Sequence, residues 1–100
     1  MFYPGSSAVL ERDLQQMLRH APTTMAWPVK AIIAPHAGYV YSGPIAASVY
    51  APLAAMRERI RRVILLGPTH RVAVNGLALP SVHAFATPLG VVPLDLEAIA

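Results

Sequence analysis

The sequence has no cysteine among its 100 residues. Disulfides and thiolate ligands are thereby excluded, and the composition is compatible with a reducing cytoplasm, where we expect the protein to reside. Charge is sparse: 13% of residues are charged, eight Lys and Arg against five Asp and Glu, for a formal net charge of +3. No apolar run reaches the ~18–20 residues a bilayer span needs. No basic stretch followed by an apolar run opens the chain, so neither a membrane span nor a signal peptide is expected. There is no P-loop, no Gly-x-Gly-x-x-Gly, no Gly-x-Ser-x-Gly, and no pair of acids at catalytic spacing. The basic run Arg57-Glu58-Arg59-Ile60-Arg61-Arg62 has no interleaved aromatics and no known motif behind it. It reads as a solvated helix end, where cations suit the dipole, and no nucleic-acid partner is expected.

Apolar residues are abundant, at 55% with a mean hydropathy of +0.47. A chain of this length makes one domain at most, and a small domain has much surface and little interior. The excess predicts a core that continues into further polypeptide or a partner subunit, with exposed apolar surface and self-association or poor solubility for these residues alone.

Phe2-Tyr3-Pro4-Gly5-Ser6-Ser7 reads as a turn in which either serine can cap a helix. Leu10, Leu14, Met17 and Leu18 recur at helical spacing opposite Glu11, Arg12, Asp13, Gln15 and Gln16, which predicts an amphipathic helix of about three turns. Ala21-Pro22-Thr23-Thr24 ends it, and Trp27-Pro28 leads into a strand over Val29–Ala34. There Ile32 and Ile33 suit a strand covered on both faces. Pro35 ends that pairing and delivers His36 into a turn bracketed by Gly38 and Gly43. With Ser42 as cap and Pro44 in the first turn, a helix is expected over Pro44–Arg61. Its buried stripe is Ile45, Val49, Leu53, Met56 and Ile60, kinked or broken at Pro52. A second apolar strand is expected at Val63–Leu66, ending at Gly67-Pro68-Thr69-His70. Beyond it, Gly76–Leu79 reads as a strand pairing with Val91–Leu94 through the turn Thr87-Pro88-Leu89-Gly90. Asp95 reads as the cap of a third helix.

Strand, helix and strand in this order form a βαβ unit with parallel strands and a right-handed crossover. Both strands then end on one sheet edge, where open α/β sheets bind ligands. Neighbouring strands lie ~4.8 Å apart, so His36 and His70 can converge on one point. Imidazoles are common ligands for zinc, iron and copper, although a lone loop histidine is more often simply hydrogen-bonded. His20 reads as a C-terminal helix cation, and His83 is ambiguous. Tyr39 and Tyr41 can line a pocket there, or serve as core or rim aromatics without function.

Phe2-Tyr3-Pro4, Ala34-Pro35-His36-Ala37-Gly38-Tyr39 with Tyr41-Ser42-Gly43, Leu66-Gly67-Pro68-Thr69-His70 and Thr87-Pro88-Leu89-Gly90 stand in the order seen in the Memo family. Its bacterial and archaeal members are called AmmeMemoRadiSam system protein B. The resemblance runs from Phe2 to the C-terminus and implies a fold similar to class III extradiol dioxygenases: α/β, a three-layer α/β/α arrangement with a mainly parallel sheet. Residues 1–100 would be the N-terminal βαβ part of a single such domain, trimmed at both ends. The resemblance further implies a metal site using His36 and His70 and a cysteine much later in the chain, with iron or copper as the metal. Within these residues only His83, Asp95 or Glu97 can offer a third ligand, and Asp95 is better used as a helix cap. Redox or oxygenase-type chemistry follows by fold analogy alone. The alternative is a non-catalytic module binding a small molecule or peptide in the same pocket, with Tyr39 and Tyr41 as its walls.

Overall fold

A computed structural model describes residues 1–22 and 28–100. They form two compact units, Met1–Arg61 and Arg62–Ala100. The expected stop at Thr23-Thr24 and the lead-in at Trp27 lie outside the described residues.

In the first unit, helix α1 spans Ser7–His20. Ser6 is its cap, its hydroxyl accepting from the Val9 N–H at a long 3.5 Å. The expected stripe turns inward: Leu10 is buried at 3% exposure, and Leu14 and Met17 are half-buried. The opposite face is solvated and locally paired, with Arg12 and Asp13 bonded at 3.1 Å and the Gln15 amide donating to Glu11 at 3.4 Å. In the last turn, His20 Nδ1 lies 2.8 Å from the Gln16 carbonyl oxygen.

Helix α2 spans Tyr39–Tyr50 and continues as a 3-10 helix over Ala51–Met56. The break falls where Pro52, having no N–H, cannot extend the α-helical ladder. The expected start needs correction. Gly38 rather than Ser42 is the N-cap, and the Ser42 hydroxyl instead donates to the Ala37 carbonyl at 2.9 Å. The Tyr39 N–H, an orphan donor of the first turn, is satisfied by the Phe2 carbonyl at 2.8 Å. A tertiary contact with the N-terminal strap thus does the capping that sequence logic gave to a side chain.

The buried face of α2 is also not the expected one. Gly43, Ala47 and Ala51 are buried, while Ile45 is exposed. The two sets lie on opposite sides of the helix. α1 packs against the small-residue side, because a close helix crossing needs small side chains where backbones approach. A methyl built on Gly43 would lie 2.6 Å from Met17 Sδ, closer than real contacts allow.

The second unit begins with extended, irregular chain and ends in a hairpin. Strands β1 (Ala84–Thr87) and β2 (Gly90–Pro93) pair antiparallel, with Phe85 opposite Val92 and Thr87 opposite Gly90. The turn is the expected Thr87-Pro88-Leu89-Gly90. The Thr87 hydroxyl accepts from the Leu89 N–H at 3.2 Å, and Gly90 takes a φ of 144° that other residues rarely adopt. The partner of Val91–Leu94 is therefore Ala84–Thr87 and not Gly76–Leu79, which stays irregular; a two-residue connection closes a hairpin at once, whereas the distant segment must close a long loop. Asp95 caps helix α3 (Leu96–Ile99), its Oδ1 accepting from the Ala98 N–H at 3.0 Å. Its Oδ2 pairs with Arg62 Nε at 3.0 Å.

The chain is thus mixed α/β, with a two-stranded antiparallel sheet among the described residues. The strands expected at Val29–Ala34 and Val63–Leu66 carry no sheet pairing, so the βαβ unit is not formed. The reason is physical. Both segments are apolar on both faces and need cover above and below to bury themselves. Ile33 stays 94% exposed and Ile64 84%.

Candidate functional site

A cleft of about 520 Å³ lies in the first unit. Its walls follow from the elements just described. Phe2 and Tyr3 enter from the N-terminal strap, held by the Phe2–Tyr39 backbone bond. Leu14, Met17 and Leu18 come from the apolar stripe of α1, and Tyr39, Gly43, Ala47 and Tyr50 from the side of α2 that faces it. Pro35 and His36 contribute the rim, from the irregular chain preceding α2.

The polar groups in the cleft are few. The Tyr3 and Tyr39 rings lie 6.0 Å apart with their planes tilted at 45°, within the range of favourable aromatic pairs. Burial raises the Tyr39 phenol above its ordinary pKa, and the Tyr3 and Tyr50 phenols push it further in the same direction. Loss of its proton would put charge into a poorly hydrated site beside two further groups that ionise to anions. Tyr39 therefore stands protonated at neutral pH and can donate a hydrogen bond.

The expected residues separate. Tyr39 lines the cleft, but Tyr41 does not: it is 85% exposed. With the helix beginning at Tyr39, a residue two positions on faces away, since successive residues step round by about 100°. His36 stands on the cleft rim in the first unit, and His70 lies in the irregular chain of the second, exposed to solvent. Among the described residues no group of three or more His, Cys, Asp or Glu is placed to hold a metal ion. The donors described here therefore do not make a complete metal site by themselves. Asp95 is occupied as a cap and ion-pair partner, while the His83 carbonyl accepts from the Leu94 N–H and extends the hairpin.

Sequence reasoning missed Phe2, Tyr3, Met17 and Tyr50 as cleft residues. A signal was present in the spacing of Gly43, Ala47 and Ala51 by four, a small-residue stripe that marks a close helix contact.

Comparison with known proteins places these features in a family. The family model of Memo-like protein matches residues 1–100. Protein MEMO1 of Xenopus tropicalis is 42% identical over 88 residues, covering 88% of this chain and 29% of that protein. Protein MEMO1 of Homo sapiens is 40% identical over 88 residues, with the same shares. Protein memo-1 homolog of Caenorhabditis elegans is 37% identical over 94 residues, covering 94% of this chain and 26% of that protein. The chain thus spans less than a third of the length of these relatives. No solved structure matches it. The sequence match extends through the His36, His70 and Thr-Pro-Leu-Gly segments alike, and the chain belongs to the Memo-like protein family.

Proposed function

We propose that these residues supply the first half of a metal-dependent site of redox or oxygenase type. His36 and His70 would be two of its ligands, and the aromatic cleft beside His36 would be the substrate pocket. The observation that carries the reading is the position of His36 on the rim of an aromatic cleft. Iron and copper are the metals proposed; either would bring redox chemistry to the rim. The chain's own residues do the remaining work. The apolar walls exclude water, and the protonated Tyr39 hydroxyl orients a ligand by donating to it.

A complete donor set needs a third ligand from outside these residues, since catalytic metal sites generally hold three protein ligands and an open position. The same reading includes the fold. In a longer polypeptide, Val29–Ala34 and Val63–Leu66 would pair as neighbouring parallel strands of a three-layer α/β/α domain, bringing His36 and His70 to one edge. The uncovered Tyr41 and Ile45 on α2 support this, because a helix apolar all round belongs between layers.

Calorimetric titration with iron(II), copper and zinc tests the proposal, on this chain and on a longer polypeptide that continues the sequence. Weak binding is expected for the short chain and tight binding for the long one. His36→Ala or His70→Ala should each abolish the latter while leaving thermal stability nearly unchanged. Tight stoichiometric binding that survives both substitutions would remove the two histidines as ligands.

A second reading, a module that binds a small molecule or peptide without chemistry, is favoured by the lining of the cleft. Its walls are apolar and aromatic with few polar groups, which suits binding on its own. Oxygen consumption by the metal-loaded long polypeptide with an aromatic diol separates the two.

A further inference from the structure

We infer that the contact between Gly43 and Met17 sets the depth of the cleft, and that the cleft admits a flat uncharged aromatic molecule. This rests on the reading that the cleft is a ligand site and goes beyond it by naming the gauge and the ligand class. Two observations carry it independently.

The first is steric. Met17 Sδ rests against α2 in space that exists only because residue 43 has no side chain: a methyl there would sit 2.6 Å from the sulfur and 3.5 Å from Met17 Cε. The thioether is flexible, so Gly43→Ala need not disrupt the fold. The sulfur must move, however. Met17 itself lines the cleft, so a thioether pushed off residue 43 would take up part of the ligand's space. Gly43 is thus a positioning residue that acts through Met17.

The second is electrostatic. Among the described residues no Asp, Glu, Lys or Arg lines the cleft, so in the metal-free chain a charged ligand would surrender its hydration without a carboxylate, ammonium or guanidinium to meet it. The walls instead offer aromatic faces, from Tyr3 and Tyr39 among others, and a polarisable sulfur. These favour a flat uncharged ring.

The test follows the Met17 methyl signal by NMR in protein labelled at the methionine methyls, with three probes: benzyl alcohol, benzoate and 2-naphthylmethanol. Benzyl alcohol should shift the Met17 signal saturably, and benzoate should bind about tenfold more weakly for want of a counter-charge. Gly43→Ala, with its helical circular dichroism intact, should weaken benzyl alcohol binding about tenfold, the scale of one methylene in an apolar pocket. Adding Met17→Ala to that variant should restore it. Met17→Ala alone should gain affinity for 2-naphthylmethanol. Unchanged affinity in a folded Gly43→Ala protein, or a double variant no better than the single, overturns the gauge while leaving the cleft a ligand site. Benzoate binding as tightly as benzyl alcohol overturns the ligand class. Failure of all three probes to shift Met17 in the unsubstituted chain removes the ligand site itself, and the inference with it.

Discussion

Tyr39 is the residue where strap, helix and cleft meet. Its N–H is bonded to Phe2, its ring packs against Tyr3, and its phenol is held above the ordinary range chiefly by burial. The raised phenol has a consequence for stability. In the unfolded chain a tyrosine ionises near pH ~10; in the folded chain Tyr39 holds its proton to higher pH. The folded state therefore binds more protons than the unfolded state above that point. The contribution of Tyr39 to stability is full below the unfolded value and is lost as pH rises through the folded one. Tyr39→Phe should flatten the fall in urea midpoint between neutral and strongly alkaline pH. An unchanged slope would place the alkaline sensitivity elsewhere. Single-residue chemistry was legible in the sequence where it is local. The caps at Ser6 and Asp95 bond within three residues of themselves. The direction of Tyr41, outside this cleft, was not legible because it depends on where the helix starts, and that start is tied to Phe2, 37 positions away from Tyr39.

At the scale of elements, α2 shows local rules and packing in competition. The proline rule holds at Pro52, where the α-helix gives way to a 3-10 helix at Ala51. It fails at Pro44, which lies inside the helix, because anchoring of Tyr39 starts the helix earlier than Ser42 and Pro44 would by themselves. Pro52→Ala should let α2 run on through Met56, as the Ala- and Leu-rich sequence favours. The helical signal in far-ultraviolet circular dichroism should then rise by about six residues' worth of helix, the length of the 3-10 segment. No change would mean that the packing of Ala51, and not the missing N–H, fixes the 3-10 geometry. The hairpin was half legible. Its turn was marked by Pro and Gly, and β2 by its valines. β1 contains Ala84, Phe85 and Ala86, two of them poor strand formers, and is a strand because the turn delivers it to its partner.

For the whole molecule, the deciding fact is how little is covered. The buried residues are Leu10, Ser42, Gly43, Ala47 and Ala51 among those described, all in the first unit. Val63, Ile64, Leu65 and Leu66 all stand in solvent. Such contiguous apolar runs bind partners or aggregate. This chain alone should bind a hydrophobic dye strongly and sediment as concentration-dependent oligomers, whereas a longer family polypeptide that covers Val63–Leu66 should do neither. A sharp monomer with no dye binding would contradict this. The parallel sheet read from the sequence was an inference about partners, since a strand covered on both faces is defined by what lies against it. The helices, whose hydrogen bonds are internal, were legible at this length.

The bond from the Tyr39 N–H to the Phe2 carbonyl also bears on how the protein is handled. It fixes the chain's opening residues at the wall of the cleft, with Met1 fully exposed beside them. Any affinity tag joined ahead of Met1, or the few residues left after such a tag is cleaved, therefore begins at the cleft's edge, where its side chains compete with added ligands for the same rings. A difference in apparent affinity between the tagged and the untagged chain would itself measure how far the strap shares the cleft.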